Sequence, residues 1–172
     1  MRGRLFPALA LLLAFGLTAA AAEAWTPVAS KEGGFTALFP AAPAIKTEPP
    51  DPSGGVTSIY AASLGKMDVE VSYTDYGGRA FAGKSLEAIF NLARDDLVKG
   101  QPVKLLADRK IALEGREGRE VIFSEGDGYT QVYRFFVVGT RIYAVIAGGP
   151  AGIEKSAEAK RFLDSFRLAL KK

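Results

Sequence analysis

The sequence predicts an α+β domain built on an antiparallel β-sheet of about six to seven strands. Three stretches have the pattern of β-hairpins, in which two runs of β-forming residues flank a short turn that contains glycine. Two further stretches repeat apolar residues at the three- and four-residue spacing of an amphipathic helix. Because hairpins pair their strands antiparallel, this order favours α+β over a parallel, doubly wound sheet.

The first 24 residues have the layout of a secretory signal peptide. Arg2 and Arg4 give a basic start, Leu5–Leu17 is almost wholly apolar, and Ala22-Glu23-Ala24 supplies an A-x-A cleavage site. The apolar run is shorter than the ~20 residues of a transmembrane helix, so an uncleaved anchor is the weaker interpretation. We therefore expect an exported protein, periplasmic or extracellular after cleavage.

Cleavage after Ala24 would leave residues 25–172 as a single globular domain, and cleavage after Ala22 would start it at Glu23. Apolar residues make up 48% of the chain, which argues against disorder. No later segment approaches a membrane span, so we expect a soluble product without stable membrane insertion. The chain has no cysteine, which excludes both disulfides and a lipid-modified cysteine.

The first half of the domain is predicted to hold one strand, a stiff loop and one hairpin. Phe35–Phe39 alternates in the manner of a strand, and the five prolines of residues 40–55 predict a stiffened loop. Val56–Leu64 and Met67–Asp75 form the predicted hairpin. Its second strand alternates apolar residues with polar ones, so we expect one face in the core and one in water. The expected water-facing side chains are Asp68, Glu70, Ser72 and Thr74.

A helix is predicted at 85–99, with Ser85 as its N-cap and Gly100 just past its end. Its apolar stripe comprises Leu86, Ile89, Phe90, Ala93 and Leu97.

Two more hairpins and a final helix are predicted to follow this helix. The hairpins pair 104–113 with 116–125, and 129–138 with 141–147, where Gly148-Gly149-Pro150 would stop the last strand. The third hairpin is apolar on both faces, which is typical of central strands covered on both sides. The final helix is predicted at about 153–168.

The composition excludes most catalytic and nucleic-acid-binding chemistry. The chain has no histidine and no cysteine, so neither a Ser-His-Asp or Cys-His site nor a Cys/His zinc site can form. No phosphate-binding glycine motif is present, and the acidic pair Asp68 and Glu70 has the spacing of a water-facing strand. Basic residues are mixed with acidic ones at a net charge of +3, which argues against a nucleic-acid partner. We expect no catalytic, cofactor-binding or metal-binding residue.

One segment, Tyr73–Phe81, is rich in the residue types that bind partners. Its glycines permit a loop, and aromatic residues and arginine dominate the hot spots of protein interfaces. We therefore predict Tyr76, Arg79 and Phe81 as partner-binding residues. The alternative is that Tyr73 and Phe81 are core residues and the glycines only form a turn.

The sequence resembles the PsbP-like superfamily over residues 25–168. The resemblance is carried by Trp25 before Gly34-Phe35-x-x-x-Phe39-Pro40-x-x-Pro43, a central helix, Gly115-Arg116-Glu117-Gly118-Arg119-Glu120, Arg134-x-x-x-x-x-Thr140-Arg141-x-Tyr143 and Phe162-Leu163-Asp164-Ser165-Phe166. The superfamily includes extrinsic photosystem II subunits, a Mog-type Ran-binding nuclear-import factor and exported LpqN-type proteins. The resemblance implies an antiparallel sheet flanked by helices on both faces. It also implies binding rather than catalysis, and it supplies no site residue.

The sequence thus favours a non-enzymatic binding or accessory domain that acts on a protein partner in the cell envelope. The alternative is a carrier of a small hydrophobic, lipid-like ligand between the sheet and the helices, because both sheet faces are rich in apolar residues. A histidine-free hydrolase is a remote third.

Overall fold

The computed structural model describes residues 25–78 and 80–169. The predicted signal peptide therefore lies outside the described residues. Within them the chain forms ten strands, two α-helices and one short 3-10 helix. None of the helices in this part of the chain combines the length and the apolar character that a membrane crossing requires.

The strands form two antiparallel sheets. A seven-stranded sheet has the order β3-β4-β5-β9-β8-β7-β6, and a three-stranded sheet has the order β1-β2-β10. The strands are β1 Thr26–Ser30, β2 Phe35–Phe39, β3 Ala44–Thr47, β4 Val56–Leu64, β5 Met67–Asp75, β6 Val103–Leu113, β7 Arg116–Glu125, β8 Tyr129–Val138, β9 Arg141–Pro150 and β10 Arg167–Leu168. The α-helices are α1 Leu86–Val98 and α2 Ala157–Ser165, and the 3-10 helix is Ile153–Lys155. The α+β class, the antiparallel pairing and the three predicted hairpins are thereby confirmed.

The larger core cluster joins the small sheet, α2 and one face of the seven-stranded sheet. Aromatic rings dominate it, and Phe166 stacks on both Phe35 and Phe136 with ring centroids 5.8 Å apart in each pair. Phe162 of α2 packs edge to face on Phe39 at 5.2 Å. Edge and stacked arrangements of this kind add to the stabilisation that burial of the rings provides.

A second core cluster is centred on Phe90 of α1, which packs with Val121, Phe123 and Phe135. Residues of β9 alternate between the two clusters: Tyr143, Val145 and Ala147 belong to the larger one. Ile142 and Ala144 pack against the smaller one. This alternation confirms that the third hairpin presents apolar side chains on both faces.

The helix boundaries show one agreement and one correction. Ser85 caps α1 as predicted, since its Oγ accepts the backbone N–H of Ala88 at 3.2 Å. The final helix is shorter than predicted. It begins after Ser156, whose Oγ accepts the N–H of Ala159 at 3.0 Å, and it ends at Ser165. Phe166 keeps the helical apolar spacing but has an extended backbone that leads into β10.

Three strands, β1, β3 and β10, were not predicted, and β9 was predicted too short. Residues 26–30 form β1, and β3 interrupts the predicted loop of residues 40–55. The glycines near the end of β9 do not stop it, because the strand runs on to Pro150, which lies opposite Tyr129. The three-stranded sheet was not predicted at all, since β2 pairs there with a two-residue strand more than a hundred residues away.

Candidate functional site

Two of the predicted binding residues, Tyr76 and Phe81, lie together on one wall of a groove of about 400 Å³ beside α1. Their rings meet edge to face with centroids 5.4 Å apart. Ala80 of the same loop also lines the groove, and the remaining apolar lining residues come from α1, β8 and β9: Ile89, Leu92, Ala93, Phe135 and Ile142. The groove therefore joins the predicted loop, the first helix and the seven-stranded sheet in one apolar surface.

Tyr76 is held in place by the β8–β9 turn and by the loop that precedes β4. Its backbone N–H donates to the carbonyl of Thr140 at 3.1 Å. Its ring packs on Gly55, where a Cβ atom would lie only 2.7 Å from the ring. Gly55 and Ser53 in turn donate their N–H groups to the carboxylate of Asp51, at 2.9 and 2.7 Å. Glycine at 55 is thus required for the close approach of the ring.

The charges around the groove lie at its rim. Lys84 and Asp96 line the opening, and the Nζ of Lys84 donates to the carbonyl of Ala80 at 3.2 Å. Burial raises the pKa of the Tyr76 hydroxyl, and the negative charges of Asp51 and Asp96 raise it further. Tyr76 therefore remains a neutral hydrogen-bonding group beside an apolar floor at physiological pH.

The groove is open to solvent along α1. Leu92, which lines it, is 53% exposed, and Leu86 at the start of the same helix is 42% exposed. Leu92 does not belong to the stripe predicted to face the core. An apolar residue on the water-facing side of an amphipathic helix is the sequence signal that could have identified this wall of the groove.

The third predicted residue, Arg79, lies outside the described residues. Tyr76 and Phe81 are half-buried and pack on each other, so the structure brings them together without assigning a role to either. Tyr73, by contrast, is a buried core residue. The partner-binding role of Tyr76, Arg79 and Phe81 stays a prediction.

Two carboxylates away from the groove, Glu120 and Asp108, each lie in ion pairs with two arginines. Glu120 accepts from Arg109 and from Arg134, the latter at 2.7 Å. Asp108 accepts from Arg119 and from Arg94, the latter at 2.8 Å. The hydrogen bond from Arg119 is the main cause that lowers the pKa of Asp108. Within the described ranges, no group of three or more carboxylates is placed to hold a metal ion.

Comparison with known proteins shows the fold and not a function. No family model and no curated protein matches the chain. The solution structure of cyanobacterial PsbP (CyanoP) from Synechocystis is similar, with a TM-score of 0.60 and 10% identity over 87% of this chain and 95% of that chain. The crystal structure of a protein of unknown function from Pseudomonas aeruginosa aligns with a TM-score of 0.44 and 9% identity over 78% of this chain and 88% of that chain. The first of these confirms the PsbP-like fold that the sequence motifs predicted.

Proposed function

We propose that this chain, with its PsbP-like fold, is an exported, non-enzymatic binding domain that acts on a protein partner in the cell envelope. We place the contact with that partner at the groove beside α1. The observation that carries the proposal is the open, apolar wall of this groove, where Leu92 is 53% exposed. An exposed apolar surface bordered by charged groups is typical of a protein interaction site.

The composition of the groove supports a protein partner. Protein interfaces combine an apolar, aromatic centre with a polar rim. Here Tyr76, Phe81 and Phe135 supply the aromatic centre, while Lys84 and Asp96 supply the rim. Tyrosine is enriched among the residues that contribute most to binding energy, because it buries much area with few rotatable bonds.

A carrier of a small hydrophobic ligand is the second candidate, and the apolar lining of about 400 Å³ favours it. Ligand-binding cavities usually bury ~70–90% of the surface of their ligand. A groove whose wall includes a half-exposed leucine would leave more of a lipid-like molecule in water. This geometry therefore favours an apolar side chain that remains attached to a partner protein.

The distribution of charged residues supports a binding role over catalysis. Asp108 and Glu120 each interact with two arginines, as expected for residues that organise the sheet. Neither lines the α1 groove. A hydrolase that uses neither histidine nor cysteine remains the remote alternative.

We also infer that the two helices flank opposite faces of the seven-stranded sheet. Phe90 of α1 clusters with Phe135, whereas the cluster that contains α2 includes the neighbouring Phe136. Successive side chains of a strand point to opposite faces.

The partner contact can be tested by site-specific photo-crosslinking in the native host. A photoreactive amino acid at position 92 should yield a discrete crosslinked protein, identified by mass spectrometry. The same group at position 45, where Ile45 of β3 is 64% exposed, is the matched control and should not capture that protein. Combining the probe at 92 with Tyr76→Ala should reduce the yield. A lipid adduct at 92 would favour the carrier, and equal capture at both positions would contradict the proposal.

Export can be tested on protein isolated from the same host. Sequencing of the amino terminus should find Trp25 or Glu23 as the first residue, as expected for cleavage by signal peptidase. Recovery of protein that still begins at Met1 would contradict export by cleavage.

A further inference from the structure

A second cleft lies on the seven-stranded sheet, on the same face as α1 but away from the helix. Its volume is about 450 Å³, and its lining includes Ala61, Asp68, Glu70, Tyr129 and Tyr133. It shares no lining residue with the α1 groove, so it is a separate surface of the domain.

The floor of the cleft follows one row of residues across four strands. Ala61, Glu70, Ile146 and Tyr133 lie opposite one another in the register of β4, β5, β9 and β8. The direct cross-strand neighbours of Glu70 are thus an alanine and an isoleucine. The prediction that this face of β5 is exposed to water is incorrect. Glu70 is half-buried, and Ser72 on the same face is only 8% exposed.

The two tyrosines are held by hydrogen bonds in which their hydroxyl groups act as donors. Tyr129 donates to Asp68 at 3.0 Å, and Tyr133 donates to the side-chain carbonyl of Gln131 at 2.8 Å. Gly148 makes the position of Tyr129 possible, since a Cβ atom there would lie 2.6 Å from the tyrosine hydroxyl oxygen. These contacts hold the rings of Tyr129 and Tyr133 in place in the lining of the cleft.

The cleft is negatively charged and contains an unneutralised carboxylate. Its lining includes Asp68 and Glu70 but no lysine or arginine among the described residues. Glu70 takes part in none of the ion pairs of the described residues. Burial is the main cause that raises its pKa; a hydrogen bond with Ser72 opposes this shift, and the negative charge of Glu48 adds to it. Even partial burial of a carboxylate without a cation costs stability, and a cation bound in the cleft would offset that cost.

We propose that this cleft binds a protonated organic amine, with the ammonium group between the carboxylate of Glu70 and the tyrosine walls. An ammonium group would supply the cation that Glu70 lacks, through a charge-assisted hydrogen bond. Tyrosine rings attract such cations electrostatically when the cation lies over the ring face. The negative charge excludes phosphates and carboxylates as ligands. The amine comes either from a free polyamine or from a lysine side chain of a peptide.

Calorimetric titration of the purified protein with two probes tests this inference and separates the two sources. Spermidine represents the free polyamine, and N-acetyl-lysine methylamide represents the peptide side chain. Saturable binding of either probe supports the proposal and identifies its source. Uncharged N-acetyl-norleucine methylamide should not bind. Failure of both cationic probes to bind would overturn the proposal.

Two substitutions give the binding measurement a structural control. Glu70→Gln should raise the dissociation constant of the bound probe by about tenfold or more, because it removes the charge that pairs with the ammonium. Glu117→Gln removes an exposed carboxylate outside the cleft lining and should change the constant by less than about twofold. The thermal midpoint of Glu70→Gln should equal or exceed that of the unsubstituted protein, because a half-buried charge without a cationic partner is lost. Unchanged binding by Glu70→Gln would overturn the assignment.

Discussion

At the scale of single residues, Arg141 connects parts of the chain that are far apart in sequence. Its guanidinium donates to both carboxylate oxygens of Asp75, at 2.7 and 2.6 Å. It also donates to the backbone carbonyls of Glu32 and Gly33, each at 2.8 Å, and lies 4.4 Å from the ring centroid of Tyr73. One side chain therefore fastens the β1–β2 turn to the seven-stranded sheet.

We expect Arg141→Lys to destabilise the protein by about 1–3 kcal/mol, although it preserves the charge. A lysine ammonium cannot reproduce the paired bonds to Asp75 together with the two carbonyl contacts. The free energy of unfolding in urea measures this effect. Arg116→Lys, at an exposed position in the β6–β7 hairpin, should change it by less than about 0.5 kcal/mol. An equally small change for Arg141→Lys would show that charge alone suffices.

Asp108 should make the stability depend on pH. Hydrogen bonds from Arg119 and Arg94 lower its pKa below the ordinary value of 3.8. A carboxyl group with a lowered folded-state pKa contributes stability above the unfolded-state pKa, and loses it as pH falls through the folded value. Asp108→Asn should therefore cost about 1–3 kcal/mol at pH 7, and the difference should narrow below about pH 4.

Unfolding free energies at pH 7 and pH 3 measure this dependence. Asp127→Asn, an exposed change in the β7–β8 turn, controls for the loss of one negative charge. A cost for Asp108→Asn that stays constant over this range would contradict the ion-pair explanation.

At the scale of elements, local patterns predicted the hairpins and α1, while short strands and one pairing between distant segments were missed. A hairpin and its turn are contiguous, and a capped helix carries its own start and end signals. Strands β3 and β10 have only four and two residues, so their alternation is too short to detect, and β10 forms against distant β2. The candidate sites show the same dependence on local sequence. Tyr76 and Phe81 could be singled out because they lie in one short segment that is rich in aromatic residues and glycine. The environment of Glu70 depends on β8 and β9, which a pattern within β5 cannot report.

Strand β8 should be sensitive to truncation because both of its faces are buried. Phe136 is a core residue that stacks on Phe166 and lies close above Gly118. We expect Phe136→Ala to lower the free energy of unfolding by about 3–5 kcal/mol, the usual cost for a buried phenylalanine. Chemical denaturation measures the change. A loss below about 1 kcal/mol would mean that the strand is peripheral.

The Ser85 cap should contribute to the stability of α1, the helix that lines the groove. Ser85→Ala removes the acceptor for the N–H of Ala88 and should cost about 0.5–2 kcal/mol. Ser85→Asp retains an acceptor and should recover most of the loss. Hydrogen exchange of the amides in α1 locates the effect, which should be greatest in the first turn. Exchange that rises equally in α2 would contradict a local role for the cap.

At the scale of the whole molecule, stability should be independent of metals and of redox conditions. The chain has neither cysteine nor histidine, so no thiol can be oxidised and no imidazole can bind a metal. Thermal midpoints measured with and without EDTA, and with and without dithiothreitol, should agree within error. A fall of several degrees in EDTA would reveal a carboxylate site for calcium.

The pairing of β2 with β10 constrains the order in which this molecule can assemble. Arg167 lies opposite Thr36, and the N–H of Ala169 donates to the carbonyl of Gly34 at 2.8 Å. The small sheet that covers the aromatic core thus needs both ends of the domain. Closing so long a loop is slow, because its entropic cost precedes the contacts that offset it. A nascent chain therefore cannot form the β2–β10 pairing before residues 167–169 emerge from the ribosome, so the small sheet is completed late in synthesis.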